Sequence, residues 1–344
     1  KGSGENDEYE SDDVKSIITF PMLLLHTLRI YKFQNDQEDI SRIKEKELLK
    51  IFDEYFFKTE PDEETVKYFI ELLWKVRYQF DKYVIKWVNE DNEDVHLICK
   101  LYKQTKDHKY YYLQRRKPES NEGFALIQSM LYHSQEMTTQ YWLTPFLNKT
   151  LEIDNKDQLY DYLRKLDNVL FSSKHEDSLV ERTRKALNND LEPKWNYKKL
   201  IEPLGVDFPH YWFYKLEFIL WYLPDQFPRD ERWEKFRMTA KNSVEHISPQ
   251  HPKETDKNKV SDKMLNKLGN LALVSRSINS EYSNLPFNEK QQRFKNNNSY
   301  KVDSLKMDLI YNHFNSWGDD EAWKHQRKIF RAFVAYFNLT GNKI

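Results

Sequence analysis

Along most of the chain apolar residues recur every three or four positions, the spacing that turns one helix face toward a core. Residues 16–34 are apolar on most faces from Leu23 to Ile30, and Pro21 suits a first helical turn, so a central bundle helix is expected there. Residues 45–58 and 62–88 read as two more helices. In the second, Val66, Phe69, Ile70, Leu73, Trp74, Val76 and Phe80 form the expected core stripe, and Asp62 with two glutamates favours its N-terminus. Helical texture continues over 122–190, with packed helices at 124–133, 140–146 and 156–171. The aromatic stretch 209–223 reads as a seam helix between the bundle and the C-terminal region. The pattern changes between 242 and 295. Val244-Glu245-His246-Ile247 is a short apolar strand, stopped by Pro249. A second strand, 267–275, opens on Asn270, and a loop over 277–287 leads into a helix at 288–294.

Composition sharpens this reading. Only 7 Gly and 12 Pro in 344 residues favour long helices with short connections, and the length suits about two domains. The many aromatics, 9 Trp, 22 Tyr and 21 Phe, argue against general disorder. No apolar run reaches membrane-spanning length, so no membrane partner is expected. Cys99 is the only cysteine, which excludes an internal disulfide and a cysteine-based zinc ribbon and fits a reducing cytoplasm. No glycine-rich phosphate loop occurs, so this chain alone is not expected to bind NTP. Residues 1–13 carry one Lys against six acids. Residues 1–14 therefore read as a flexible acidic linker from an upstream domain outside this chain, followed by a helical domain (15–225) and a C-terminal domain (226–344).

The net charge of −1 hides a local excess. Residues 241–301 hold eleven Lys and Arg against six Asp and Glu, either a footprint for a polyanion or a solvated mixed-charge surface. Residues 100–117 carry seven basic residues interleaved with Tyr102 and Tyr110 to Tyr112. That stretch either contacts nucleic acid, by phosphate pairing and base stacking, or is an exposed loop whose tyrosines pack inward. Among the histidines, His26 reads as packed core, His313 and His325 as structural, and His251 as at most a substrate contact. Lys174 to Asp177 reads as surface, since adjacent helical residues point apart.

The corners of the 242–295 unit carry groups suited to cleaving a phosphodiester. That reaction needs an activated water and positive charge at the leaving oxygen. Glu245 and Asn279 offer hard oxygens for one Mg²⁺ or Mn²⁺, with Asn284 as substitute for Asn279. His246 points to the other side of the strand and is free to act as general base. Asn270 could accept the imidazole N–H and fix its tautomer. Lys290, Arg276 and Arg293 are the candidates for holding the scissile phosphate or neighbouring DNA.

The ordered series Glu-His-Ile-x-Pro, Leu-Gly-Asn-Leu-x-Leu and Asn-Ser-x-x-Ser-Asn-x-Pro-Phe-x-x-Lys resembles the HNH (ββα-metal) nuclease domain at the C-terminus of GmrSD-type restriction and phage-defence proteins. The run from Thr19 to Arg29 resembles the start of the helical region that precedes it there. The resemblance covers most of 15–344; its specific part is 242–295. It implies a mainly α fold, a helical bundle followed by a small ββα-metal domain. It also implies His246 as base, Glu245 as acidic metal ligand, Asn270 as the middle Asn and Asn279 as the third metal-side position. Glu stands where the wider family often has Asp, and Asn where it often has His. The implied partners are double-stranded phage DNA and an upstream NTP-dependent domain of ParB/sulfiredoxin-like type. A lone site of this kind nicks one strand, with double-strand breaks on dimerisation or from paired nicks; oligomeric state stays open. Two other readings stand beside it: a non-catalytic helical adaptor that binds DNA or a partner through a degenerate HNH fold, and an RNase.

Overall fold

The computed structural model describes residues 8–9, 14–90, 93–106, 110–116, 123–134, 138–174, 176–193, 197–227, 229–252 and 259–340. The fold is mainly helical. It divides into two compact units, Lys1–Lys194 and Trp195–Ile344, so residues 195–225 lie in the C-terminal unit and not, as the sequence suggested, with the bundle.

The first unit contains α1 (Phe20–Gln34), α2 (Leu48–Tyr55), α3 (Glu63–Tyr83), α4 (Gly123–Ser134), α5 (Leu143–Glu152), α6 (Lys156–Asp167) and α7 (Leu179–Leu187). Thr19 caps α1 by accepting from the Met22 N–H, and Pro21 sits in its first turn as expected. His26 is fully buried. Its Nε2 donates to the Thr139 carbonyl at 2.9 Å and its Nδ1 lies 2.8 Å from Thr144 Oγ1. Burial, helped by the nearby Arg29 charge, pulls its pKa down to about 3, as befits a neutral core histidine.

This unit is not helical throughout. It holds β1 (Glu8–Tyr9), β2 (Val14–Ser16), β3 (Lys86–Glu90), β4 (Glu93–Leu97), β5 (Lys100–Lys106) and β6 (Tyr110–Arg116). They form two antiparallel three-stranded sheets, ordered β2-β3-β4 and β1-β6-β5. The basic, tyrosine-rich stretch is thus a strand pair and not a loop. Tyrosine and threonine favour extended backbone, while the basic residues scattered through the stretch hid the two-residue period in the sequence. Glu8–Tyr9, read as linker, and Val14–Ser16, where linker was expected to pass into helix, are edge strands; the rest of 1–13 lies outside the described residues, as does His175. Helix α3 stops at Tyr83, short of the expected 88. There the buried Lys86 ammonium donates to the Phe80 and Val84 carbonyls, both at 2.9 Å, and satisfies the helix C-terminus. Of the stripe assigned to the core, Trp74 (72 % exposed) and Ile70 face solvent, while Phe69, Val76 and Phe80 are buried.

The second unit comprises α8 (Lys198–Ile201), α9 (His210–Tyr222), α10 (Glu231–Glu234), β7 (Ser243–His246), α11 (Asp262–Leu265), β8 (Leu271–Val274), α12 (Arg276–Tyr282), α13 (Phe287–Asn297), α14 (Leu305–His313) and α15 (Asp319–Leu339). Helix α9 is buried around most of its circumference and packs on α14, α15 and β8, so it is a core element of this unit. Its Glu217 carboxylate accepts from Ser304 Oγ and the Leu305 N–H, both at 2.6 Å. An acid there satisfies first-turn donors of α14 and complements its dipole. In the same first turn, the buried Lys306 ammonium donates to the Leu268 and Leu271 carbonyls. Helix α15 supplies Gln326, which accepts from the Gly269 N–H and donates to the Leu200 carbonyl. These contacts fix the 268–271 turn, which opens β8. Among the described residues no helix is long and apolar enough to cross a membrane.

Candidate active site

β7 and β8 pair antiparallel, with Glu245 opposite Ala272 and His246 opposite Leu271. Successive side chains on a strand point to opposite faces, and the two neighbours accordingly meet different partners. Glu245 Oε1 receives the Lys290 ammonium of α13 at 2.6 Å, and the same ammonium donates to the His246 carbonyl at 2.7 Å. His246 Nε2 lies 3.1 Å from Asn266 Oδ1, just past the end of α11.

The Asn266 contact settles the protonation pattern of the ring. An amide oxygen only accepts, so Nε2 carries the hydrogen and donates, leaving Nδ1 with its lone pair in the neutral imidazole. Nδ1 bonds no described residue, and the side chain is buried, 5 % exposed. Burial lowers the His246 pKa, the Asn266 hydrogen bond opposes that, and the Lys290 charge lowers it further. The result is an imidazole kept neutral, of one tautomer, with its basic nitrogen bonded to no described residue. Asn266 is itself held. Its carbonyl accepts from the Gly205 N–H at 2.9 Å, and Gly205 has a left-handed backbone (φ 56°) in a short turn packed against β7. A Cβ on Gly205 would stand 2.8 Å from Asn266 Oδ1. Neither Asn266 nor Gly205 was singled out by sequence. The only available signal was weak: Gly205 is one of few glycines, and Asn266 follows His246 by one loop.

Asn270, proposed to fix the histidine tautomer, is placed elsewhere. Its Oδ1 accepts from the Ser248 N–H and from Trp317 Nε1, both at 2.9 Å, and its Nδ2 donates to the Ser248 and Leu265 carbonyls. All its hydrogen-bonding capacity is spent on stapling the chain leaving β7 to the turn before β8. Lys290, proposed to hold phosphate, is fully buried. Its stem runs inward from α13, so its charge meets Glu245 and not solvent. Burial favours the neutral form of both partners and their mutual attraction opposes it.

Beyond β8 the expected loop is helical, because Ser275 caps α12 by accepting from the Ile278 N–H. Asn279 therefore sits on a helix that packs against β7, half-buried, with no side-chain hydrogen bond to a described residue. Asn284 and Arg276 are exposed, and Arg293 pairs with Glu281 at 3.4 Å. His251 and His313 are exposed and His325 is buried.

The donors available to a divalent ion are few. Among the described residues no group of three or more His, Cys, Asp or Glu could hold a metal. Mg²⁺, however, keeps most of its water and takes one or two protein oxygens. Of the two oxygens expected to take one, the Glu245 carboxylate is buried with Oε1 engaged by Lys290, which would compete with any ion for it.

A strand pair with an oriented histidine beside a carboxylate, followed directly by a helix, falls within one recognisable region. Residues 196–332 match the family described as GmrSD restriction endonucleases, C-terminal domain. The matched GmrSD region lies in the second unit and accounts for less than half of the chain. No curated protein and no solved structure matches the chain.

Proposed function

We propose that the second unit is the nuclease module of a restriction or phage-defence protein, cutting double-stranded DNA one strand at a time. The observation that carries this is His246: a neutral imidazole, oriented by Asn266, with Nδ1 bonded to no described residue, on the strand that also bears Glu245. In the proposed reaction Nδ1 takes a proton from water as the water oxygen forms its bond to phosphorus. The leaving deoxyribose oxygen departs with its bonding pair. The Nε2–H···Oδ1 bond to Asn266 holds the ring through this transfer and stabilises the imidazolium that forms. Mg²⁺ or Mn²⁺ on Glu245 and Asn279 would supply positive charge at the leaving oxygen. The exposed Arg276 is the phosphate contact nearest this chemistry along the chain; Lys290 instead balances Glu245. An upstream NTP-dependent domain belongs to the same proposal, as the part that selects the target.

The test is nicking of supercoiled plasmid with Mg²⁺ or Mn²⁺. His246→Ala should slow nicking by roughly 10²–10⁴-fold with the fold intact. Plasmid left supercoiled by the wild-type chain with every divalent ion would reject the nuclease reading. One observation favours the non-catalytic adaptor: Lys290 pairs with Glu245, the carboxylate proposed to hold the metal. DNA binding without cleavage under all metal conditions would establish that alternative, and a substrate panel containing RNA separates DNase from RNase.

A further inference from the structure

The outer face of α15 carries a feature that the strand-pair site does not use. Lys324, Arg327, Lys328 and Arg331 recur at three- and four-residue spacing, so they stand in one row along the helix. With Gln226 and Phe227 they line a groove of about 460 Å³ that contains no acidic side chain. The acids of α15 are confined to its first turn, Asp319 to Glu321. None of the four cations forms an ion pair with a described carboxylate. Lys324, Arg327 and Arg331 are exposed, and the Lys328 ammonium lies 5.1 Å from the centre of the Phe227 ring. Most rows of surface cations are interleaved with acids; this one is not, and the like charges are held together by a helix whose opposite face is buried.

We propose that this groove binds the phosphate backbone of double-stranded DNA. The charges are strung along a line and do not converge on a point, which suits a polyanion better than one phosphate. From Lys324 to Arg331 the helix advances on the order of 10 Å at 1.5 Å per residue. That is about three nucleotide steps at 3.4 Å per strand. The lining offers one amide and otherwise cations and a ring, so it reads charge and not base sequence. Its concavity suits a rod and not a flat lipid surface. The choice of DNA rests on the nuclease reading above; the groove and its charge do not. Because α15 also contributes Gln326 to the turn that opens β8, a duplex held there is fixed to the same helix that braces the candidate active site.

The experiment measures binding without cleavage. A fluorescent 30-base-pair duplex is titrated with the full chain in EDTA at NaCl concentrations from 50 to 200 mM. Arg327→Gln/Arg331→Gln should reduce the slope of log K against log salt by about 1.8, at 0.9 per phosphate contact, and weaken binding on the order of 60-fold at 100 mM salt. Lys50→Gln/Lys58→Gln, which removes two exposed charges from the first unit, should leave the slope within a few tenths. If the double variant unfolds, Lys324→Gln alone should lower the slope by about 0.9. Unchanged slopes in the groove variants, or an equal loss in the control pair, would overturn the proposal. So would a variant that keeps its grip on DNA but loses anionic vesicles. A chain that binds through α15 and never nicks defeats the nuclease reading alone. A chain that nicks while the groove variants bind normally defeats the groove alone.

Discussion

Replacing Asn266 with Asp tests the histidine geometry most directly. The change is nearly isosteric and puts a full negative charge 3.1 Å from His246 Nε2. Asn266 is half-buried, so water keeps the new carboxylate ionised. At an effective dielectric constant near 20 the direct attraction to an imidazolium is about 5 kcal/mol, an upper bound at this distance. Opposite charges this close typically shift a pKa by roughly 1–3 units. The sign depends on which form gains: the carboxylate stabilises the protonated ring, so the His246 pKa rises. In the wild type burial holds that pKa below its ordinary value, so the base is neutral at pH 7 and the acid limb of the rate profile lies below about 6.5. In Asn266→Asp the limb should move up by about 1–3 units. Below both limbs nicking should fall by about 10–1000-fold, and at pH above both it should return to the wild-type rate or slightly beyond. The assay is single-turnover nicking of supercoiled plasmid from pH 5.5 to 9 at saturating Mn²⁺, with the fold checked by circular dichroism at each pH. A limb that stays in place, or moves down, would mean that His246 is not the titrating base or that Asn266 does not touch it during turnover.

Lys290→Met should destabilise the second unit by about 3–5 kcal/mol, because it strands the buried Glu245 carboxylate. Urea unfolding of Glu245→Leu/Lys290→Met should recover most of that loss, leaving about 1–3 kcal/mol for the His246 carbonyl that loses its donor; equal losses in the single and double variants would show that the pair carries no coupling. Asn270→Leu orphans the Ser248 N–H and Trp317 Nε1 and should cost several times about 1 kcal/mol in stability, whereas a variant of normal stability with a pure rate defect would return Asn270 to a direct role in chemistry. Gly205→Ala should cost about 1–2 kcal/mol for its left-handed backbone. It should also slow nicking, since the new methyl pushes Asn266 off His246; a rate equal to wild type would show that Asn266 tolerates displacement.

Much of this protein was legible in the residue order. Period, Pro21 and Asp62 placed α1 and α3, because helix starts are local: these residues act within one turn of themselves. The strand on which Glu245 and His246 alternate was legible for the same reason. Which partner each side chain meets was not. Lys290 lies 45 residues from Glu245 in sequence, Trp317 lies 47 from Asn270, and Gly205 reaches Asn266 across a separate turn. A lysine with a four-carbon stem looks the same in sequence whether it points at solvent or under a strand. An asparagine near a histidine looks the same whether it takes the ring N–H or staples a loop. The β5–β6 pair was missed because cross-strand pairing, not residue period, made Tyr110–Arg116 a strand. Local residue pattern was enough for the long helices, the Glu245–His246 strand and the chemical groups; burial and long-range packing decided that Lys290 neutralises, Asn270 braces and Asn266 orients.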